Sequence, residues 1–338
     1  MQPTRSLPVR IARRLFFFLL WLALALLTVW AAAALYIDIR ISILRIPVTL
    51  LFVVVIAAIL WKAPRRWKPV FVLAAFCLVV TWWFTLQPTN AGPWQENVSR
   101  TTEIHINGDI VSIHNFRNCD YRSETVYSNC WGDLTVNLSH LRAVDFFLTN
   151  WGIPYVSHPI ISFDFGDNQH VAFSIEARYR PGQDYSTLLG FFRQYDLVFI
   201  TAAESDVMRL RTNFRKKEEV YLYRTTTTPE IARAIFLTYA AYLNKLRDDP
   251  EWYNALTRNC TTTLDRQIAE NIPNPKPWSY RLLVNGSLDE LLYSRGRFVS
   301  NGLAFPALKA QAHINPVAHT VTDPAQFSAI IRQGRVGF

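Results

Sequence analysis

Hydrophobic positions fall into two regimes along this chain. Residues 15–36 are almost unbrokenly apolar, and two further apolar runs follow at 46–61 and 69–85. A helix rises about 1.5 Å per residue, so roughly 20 apolar residues cross a bilayer core. The first run meets that length. The other two come close, with flanking Arg and Lys able to snorkel outward. A cleaved signal peptide has an apolar core of only about 7–15 residues, and two more runs would not follow it. The pattern predicts three transmembrane helices within residues 1–87 and a separate domain over residues 88–338.

Past the linker QPTNAGPWQENVS, apolar and polar positions alternate. EIHI, then Asn107-Gly108, then DIVSIHN predicts a hairpin turning on Asn-Gly. Residues 141–149 read as a strand. Residues 157–165 alternate, turn at Gly166-Asp167-Asn168 and return over 171–178. Shorter strands are expected at 197–202 and 220–224. Helical spacing then takes over. Residues 229–246 open on Pro229 and Glu230, as helix starts do. A second helix is expected from Cys260 to about Glu270, stopped by Pro273, and a third over 288–293. The last forty residues lack periodicity and are expected to pack as an extended tail. The fold class is α+β behind a three-helix anchor.

Charge orients the anchor. Arg5, Arg10, Arg13 and Arg14 precede the first run, and Lys62, Arg65, Arg66 and Lys68 separate the second from the third. The loop after the first run carries Asp38, Arg40 and Arg45. The positive-inside rule then leaves everything after about residue 88 outside the cytoplasm. The net charge of +9 resides wholly in residues 1–87, and the rest holds 25 basic and 25 acidic residues. That balance excludes nucleic acid as the partner implied by the basic pI.

Of the four cysteines, Cys77 lies inside the third apolar run, where packing explains it. Cys119 and Cys130 flank a polar stretch, and in an oxidising compartment that spacing suits a disulfide. Neither CxxC nor paired-His spacing occurs, so no metal is expected. Cys260 is left over, in Asn259-Cys260-Thr261-Thr262-Thr263. Asn and Thr are capping types. A thiol in a helix's first turn feels the positive end of the dipole, which favours thiolate. The alternative is a small buried hydrophobe at a helix start.

His158, in Val156-Ser157-His158-Pro159, is placed on a strand from which it can act as base toward a thiol. His114 is its competitor. Ser174 or Glu176, on one face of the partner strand, is positioned to orient an imidazole; Glu176 has Arg178 and Arg180 as alternative partners. The stretch HNFRNCDYR reads either as a solvated loop or as a substrate-facing one. In the second case Arg117 and Arg122 offer charge to a phosphate or carboxylate, with His114 and Asn259 as further substrate contacts.

The segments HNFRNCDYRSE, WGIPYVSHPIISFDFGD, SIEARYR, GFFRQYDLVFI, RLRTNFR, EWYNALTRNCTTTL and LLVNGSLDELLYSRG together resemble the Lnb N-terminal periplasmic domain family, named for a bacterial lipoprotein N-acyltransferase. The resemblance covers about residues 109–297. It implies a permuted papain-like (LRAT-like) thiol domain, the His strand preceding the Cys helix, with Cys260 as nucleophile and His158 as base. An aromatic often stands in that family where Cys119 stands here, which supports a Cys119–Cys130 disulfide and sets Cys119 apart from catalysis. The implied activity is acyl transfer from phospholipid to a lipoprotein's N-terminal amine, without a cofactor, at the periplasmic face of a bacterial inner membrane. A thiol peptidase or amidase acting on cell-envelope substrates, and a non-enzymatic envelope module, are the alternatives.

Overall fold

The computed structural model describes residues 7–128, 130–272 and 277–338. Arg5 of the basic cluster and Pro273, the expected helix stop, lie outside them. The chain divides into two units, one of residues up to Pro88 together with Phe192–Gln194, the other of the remainder.

The first unit holds α1 (Leu7–Asp38), α2 (Ser42–Lys62) and α3 (Lys68–Thr85). All three are long and apolar enough to cross a membrane. Each extends beyond its apolar run because basic residues continue the helix at its ends. The seam between them is narrow. Ala31 and Ala34 are fully buried, and Leu24, Phe52, Ile56, Val72 and Val79 pack around them. Small residues let helices approach closely where no hydrophobic effect drives association. Most other apolar side chains of these helices face outward. Asp38, the only acid in the first 87 residues, ends α1. A carboxylate is unfavourable at a helix C-terminus. Here it accepts hydrogen bonds from Trp83 Nε1 (2.7 Å), Arg193 N–H (3.0 Å) and Gln194 Nε2 (2.7 Å), all within the unit.

The second unit is built on one large sheet. Its strands are β1 (Glu103–Asn107), β2 (Ile110–Arg117), β3 (Asp120–Tyr121), β4 (Tyr127–Ser128), β5 (Trp131–Asn137), β6 (Ala143–Asn150), β7 (Ser157–Asp164), β8 (His170–Arg178), β9 (Asp196–Ala202) and β10 (Glu219–Arg224). Among the described residues the order is β1-β2-β9-β8-β7-β6-β10, with β5 also paired to β2 and β3–β4 a separate small hairpin. Pairing is antiparallel except where β2 meets β9 at Arg117↔Ala202.

The first hairpin turns one residue later than expected. Asn107 pairs with Ile110, leaving Gly108-Asp109 as the turn, and only Gly108 has positive φ (62°). A glycine at the first turn position satisfies the hairpin twist as well as Asn-Gly would, and the shift lets Asn107 stay in the ladder. The second hairpin turns where predicted, with Gly166, Asp167 and Asn168 all at positive φ.

Strand alternation sends side chains to both faces. Ile161, Phe163, Phe173, Ile175 and Phe199 face α5 (Pro229–Asp248), whose Phe236 and Tyr239 meet Phe163 and Phe173 edge-on. Helix α6 (Cys260–Ala269) packs beside α5 against β7 and β8. Phe147, Ile160, Ala172, Val198 and Ile200 face the other way. They are covered by α4 (Glu204–Arg209), which continues as a π-helical turn over Leu210–Phe214, and by the chain's end. Truncating Phe236 to Ala would cost about 3–5 kcal/mol.

The C-terminal region is not an extended tail. After α7 (Leu288–Ser294) come α8 (Phe305–Ala312), α9 (Asn315–Ala318) and α10 (Phe327–Ile330). Ile314, Ala318, Phe327 and Ile331 are fully buried against the sheet. These helices are too short to show a 3.6-residue period, so their role is set by packing.

Candidate active site

Asn259 begins α6. Its side-chain oxygen accepts from the N–H groups of Thr261 and Thr262, both at 2.9 Å, and the Thr262 hydroxyl accepts from the Asn259 N–H at 3.1 Å. This reciprocal box fixes the first turn. The Asn259 amide also donates to Ala255 O at 2.7 Å, so its side chain is committed to the fold and not free for substrate.

Cys260 is the first helical residue and is buried. Its Sγ lies 3.9 Å from Thr261 Oγ1. The helix end was expected to favour thiolate. Burial instead pushes the thiol up to about 11, only partly opposed by hydrogen bonds from Thr261. Desolvation penalises the charged form, and one helix end does not overcome it.

His158 is the second residue of β7 and is also buried. Its Nε2 lies 2.9 Å from Ser174 Oγ, which in turn donates to Glu176 Oε1 at 2.7 Å. With its proton given to Glu176, the Ser174 oxygen accepts from Nε2–H, and the imidazole lone pair is left on Nδ1. Glu176 also accepts from Arg211 Nη2 at 3.1 Å. Burial alone would push the Glu176 carboxyl up, but Arg211 and Arg117 outweigh it and hold the group well below the usual carboxylate range. Burial, reinforced by Arg211, lowers His158 to about 3. At neutral pH the site therefore rests as a neutral thiol, a neutral imidazole and a fixed Glu176–Arg211 ion pair. The Trp151 ring sits 6.4 Å from the His158 ring, and its Nε1 donates to Glu218.

Asn285, which the sequence reading did not single out, joins the two halves. Its Oδ1 accepts from Ser157 N–H at 2.7 Å, and its Nδ2 donates to Ser157 O and to Thr261 Oγ1. The Ser157 hydroxyl donates back to Asn285 O. One buried amide thus ties the residue before His158 to the residue after Cys260. The next residue must be glycine, since a Cβ on Gly286 would stand 2.1 Å from Pro154 O. The Val-Asn-Gly run was the available signal.

Cys260 and His158 make no hydrogen bond to each other among the described residues. Cys260 belongs to the core on the α5 side, whereas alternation sends His158 with Ile160 toward α4. β7 and β8 pair in the ladder from Ile161↔Phe173 to Asp164↔His170. Beyond this split in the ladder, at the end of β7 held by Asn285, His158 meets Ser174 and Glu176 across the two strands through side chains alone.

The other expected site residues lie elsewhere. Arg117 is fully buried and gives Nε and Nη2 to Asp206 and Nη1 to Asn97 O, so its charge is paired inside the fold and out of reach of a substrate anion. Asp206 also accepts from the N–H of Cys119, which is disulfide-bonded to Cys130. The stretch from His114 to Arg117 is strand, not loop. His114 is exposed on β2 and paired with Asp133 at 3.0 Å. Three strand spacings, ~14 Å at about 4.8 Å each, separate β2 from β7. Arg122 is exposed next to the β3–β4 hairpin.

Asp145, His170 and Glu204 bring ligand-type atoms within 4.8 Å of one another. Arg332 already bridges the two carboxylates, at 2.7 and 2.6 Å, and Arg224 pairs with Asp145. A cation there would meet two guanidiniums.

A family model described as the Lnb N-terminal periplasmic domain matches residues 127–286. The match falls on the family that the sequence resembles. The match contains His158, Ser174, Glu176, Cys260 and Asn285, and excludes His114, Arg117, Cys119 and Arg122. With three apolar helices ahead of it, the chain is a membrane protein with a periplasmic domain. No curated protein and no solved structure matches the chain.

Proposed function

We propose that this Lnb-type domain is a thiol acyltransferase of a bacterial inner membrane, with a permuted papain-like arrangement. It moves an acyl chain from a phospholipid to the N-terminal amine of a lipoprotein through a thioester on Cys260. The observation that carries the reading is the Asn285 bridge, which holds the start of the Cys260 helix against the start of the His158 strand where the sheet is split.

Because the thiol is neutral at rest, His158 Nδ1 takes its proton as Sγ attacks the ester carbonyl. The Sγ–C bond forms, the ester C–O bond breaks, and the lysolipid alkoxide leaves with that proton. The amine then attacks the thioester, the C–N bond forms as the C–Sγ bond breaks, and the amine proton passes by way of Nδ1 to Sγ, restoring the neutral thiol and imidazole. Ser174 and Glu176 hold the imidazole in the tautomer this requires. The thiol and imidazole close on each other when substrate fills the split, as catalytic contacts often tighten only in the complex.

Mass spectrometry of lipoprotein N-termini tests the reading. Cells with the native chain should carry N-acylated termini, and cells with Cys260→Ala should not. Unchanged acylation in the variant overturns it. A thiol peptidase or amidase would use the same residues. The apolar side chains around the site, described next, favour a lipid donor over cell-wall peptide.

A further inference from the structure

Large apolar side chains stand exposed on both sides of the candidate site. On the His158 side, Ile153, Tyr155 and Val156 lead directly into β7, and Tyr280, Leu283 and Val284 lead into Asn285. The Ser157–Asn285 hydrogen bonds and the Gly286–Pro154 approach bind these two segments into one patch. Tyr155 and Tyr280 are 64% and 65% exposed, far more than a folded domain needs. On the Asn259 side, Leu188 and Phe191 are exposed near Leu256, the two segments joined by the Ala255 N–H donating to Gly190 O.

Connectivity decides what covers them. β7 begins, β8 ends and β9 begins at one end of the sheet, as the pairs Asp164↔His170 and Arg178↔Asp196 require. The chain enters β9 directly from Phe192–Gln194, which group with the membrane helices. At that same end Thr89, the first residue of the second unit, donates its N–H to Asp196. Only three residues separate it from Thr85, the last of α3. At about 3.4 Å per residue that tether spans no more than ~14 Å. The apolar patches are thus on the end of the domain that the short tether joins to α3. Tyrosines among aliphatic side chains are suited to the headgroup level.

We propose that this end of the domain docks on the outer surface of its own membrane, with Tyr155, Val284 and Leu188 inserted at the interface and the split between β7 and β8 opening onto lipid. The proposal deepens the acyl-transfer reading and takes its purpose from it: a docked site meets an ester carbonyl at headgroup depth without extracting the lipid.

The test uses the full chain in a Cys77→Ser, Cys260→Ala background, which leaves the Cys119–Cys130 disulfide in place. Single cysteines at Tyr155, Val284 or Leu188 carry a nitroxide, and Asp167→Cys serves as the control. Asp167 lies at the opposite end of β7, ~24 Å away for seven residue steps. In nanodiscs of phosphatidylethanolamine and phosphatidylglycerol, the three patch labels should lose collision with an aqueous nickel complex and gain collision with oxygen, relative to Asp167. If all three remain as accessible to nickel as Asp167, the docking proposal is wrong. The background carries no nucleophile, so the depth reading is independent of turnover. Docked labels combined with unchanged lipoprotein acylation in Cys260→Ala would overturn the enzyme reading and leave the docking intact.

Discussion

Two buried arginines organise the charges of the outer domain, and they leave their histidines in different circumstances. Arg332 spreads its guanidinium over Asp145 and Glu204, with distances from 2.6 to 3.1 Å, and adds a bond to Ser328 O. The charge is consumed, and what it achieves is to lock the chain's end onto the sheet. His170 lies against this cluster with neither ring nitrogen hydrogen-bonded among the described residues. Arg211 makes a sparser pairing with Glu176, and Glu176 is connected through Ser174 to His158. That chain of contacts orders a ring and fixes where its lone pair sits. Burial and an arginine are common to both places. A hydroxyl placed between carboxylate and imidazole distinguishes them.

The comparison is broken most severely at the thiol. Cys260→Ala should abolish acyl transfer while the solubilised chain still folds, its unfolding midpoint lowered only by the loss of one small buried group from the core. Cys260→Ser should be nearly as damaging, since a hydroxyl ionises far less readily. Retained activity in either would exclude covalent thiol catalysis.

The two arginines should then separate by readout. Arg332→Leu leaves buried Glu204 without its guanidinium and Asp145 with Arg224 alone, and should cost about 3–5 kcal/mol, measured as a lower unfolding midpoint by tryptophan fluorescence. Arg211→Leu should also destabilise, but its diagnostic effect is on activity. Glu176 loses its principal counter-charge, the imidazole loses its fixed partner, and kcat should fall in preparations that remain folded. An Arg211→Leu chain that folds and keeps its full kcat would show that the His158 wiring is structural, like that of Arg332.

Asn285→Ala should cost about 1–3 kcal/mol, because Ser157 N–H is left buried without a partner. It should lower kcat more than it raises KM, since the geometry between helix and strand relaxes while the lipid patch stays. An effect on KM alone would deny Asn285 its positioning role.

The neutral resting state gives a pH signature. His158 is lowered from 6.5 to about 3, so below about pH 6.5 the unfolded chain binds a proton that the folded one does not, and stability falls with falling pH. Cys260 is raised from 9.0 to about 11, so above about pH 9 the unfolded chain loses a proton that the folded one keeps, and stability falls with rising pH. Cys260→Ala should flatten the alkaline side and His158→Gln the acid side. The smallest effect is expected at His114→Ala, whose exposed ion pair with Asp133 is worth about 0–1 kcal/mol. A large loss of activity there would reinstate His114 as the base.

Much of this architecture was legible in the residues. The three apolar runs predict the membrane helices because a bilayer sets a length that few soluble segments reach. The Gly166-Asp167-Asn168 turn and the Asn259 cap are local, since their geometry is decided by a few neighbouring side chains and backbone groups. His158, Ser174, Glu176 and Cys260 were all named from type and position. What sequence could not convey is which distant group each polar side chain meets. Arg117 reads as a substrate contact until Asp206, 89 positions away, is seen to consume it. Asn285 reads as part of a turn until it is found bridging Ser157 and Thr261. The thiol reads as activated by its helix end until burial is taken into account, and burial belongs to the packed chain and not to any segment of it. Local order follows from local chemistry. Charge state, the split between β7 and β8 and the partners of buried polar groups follow from desolvation and long-range pairing, which only the tertiary structure decides.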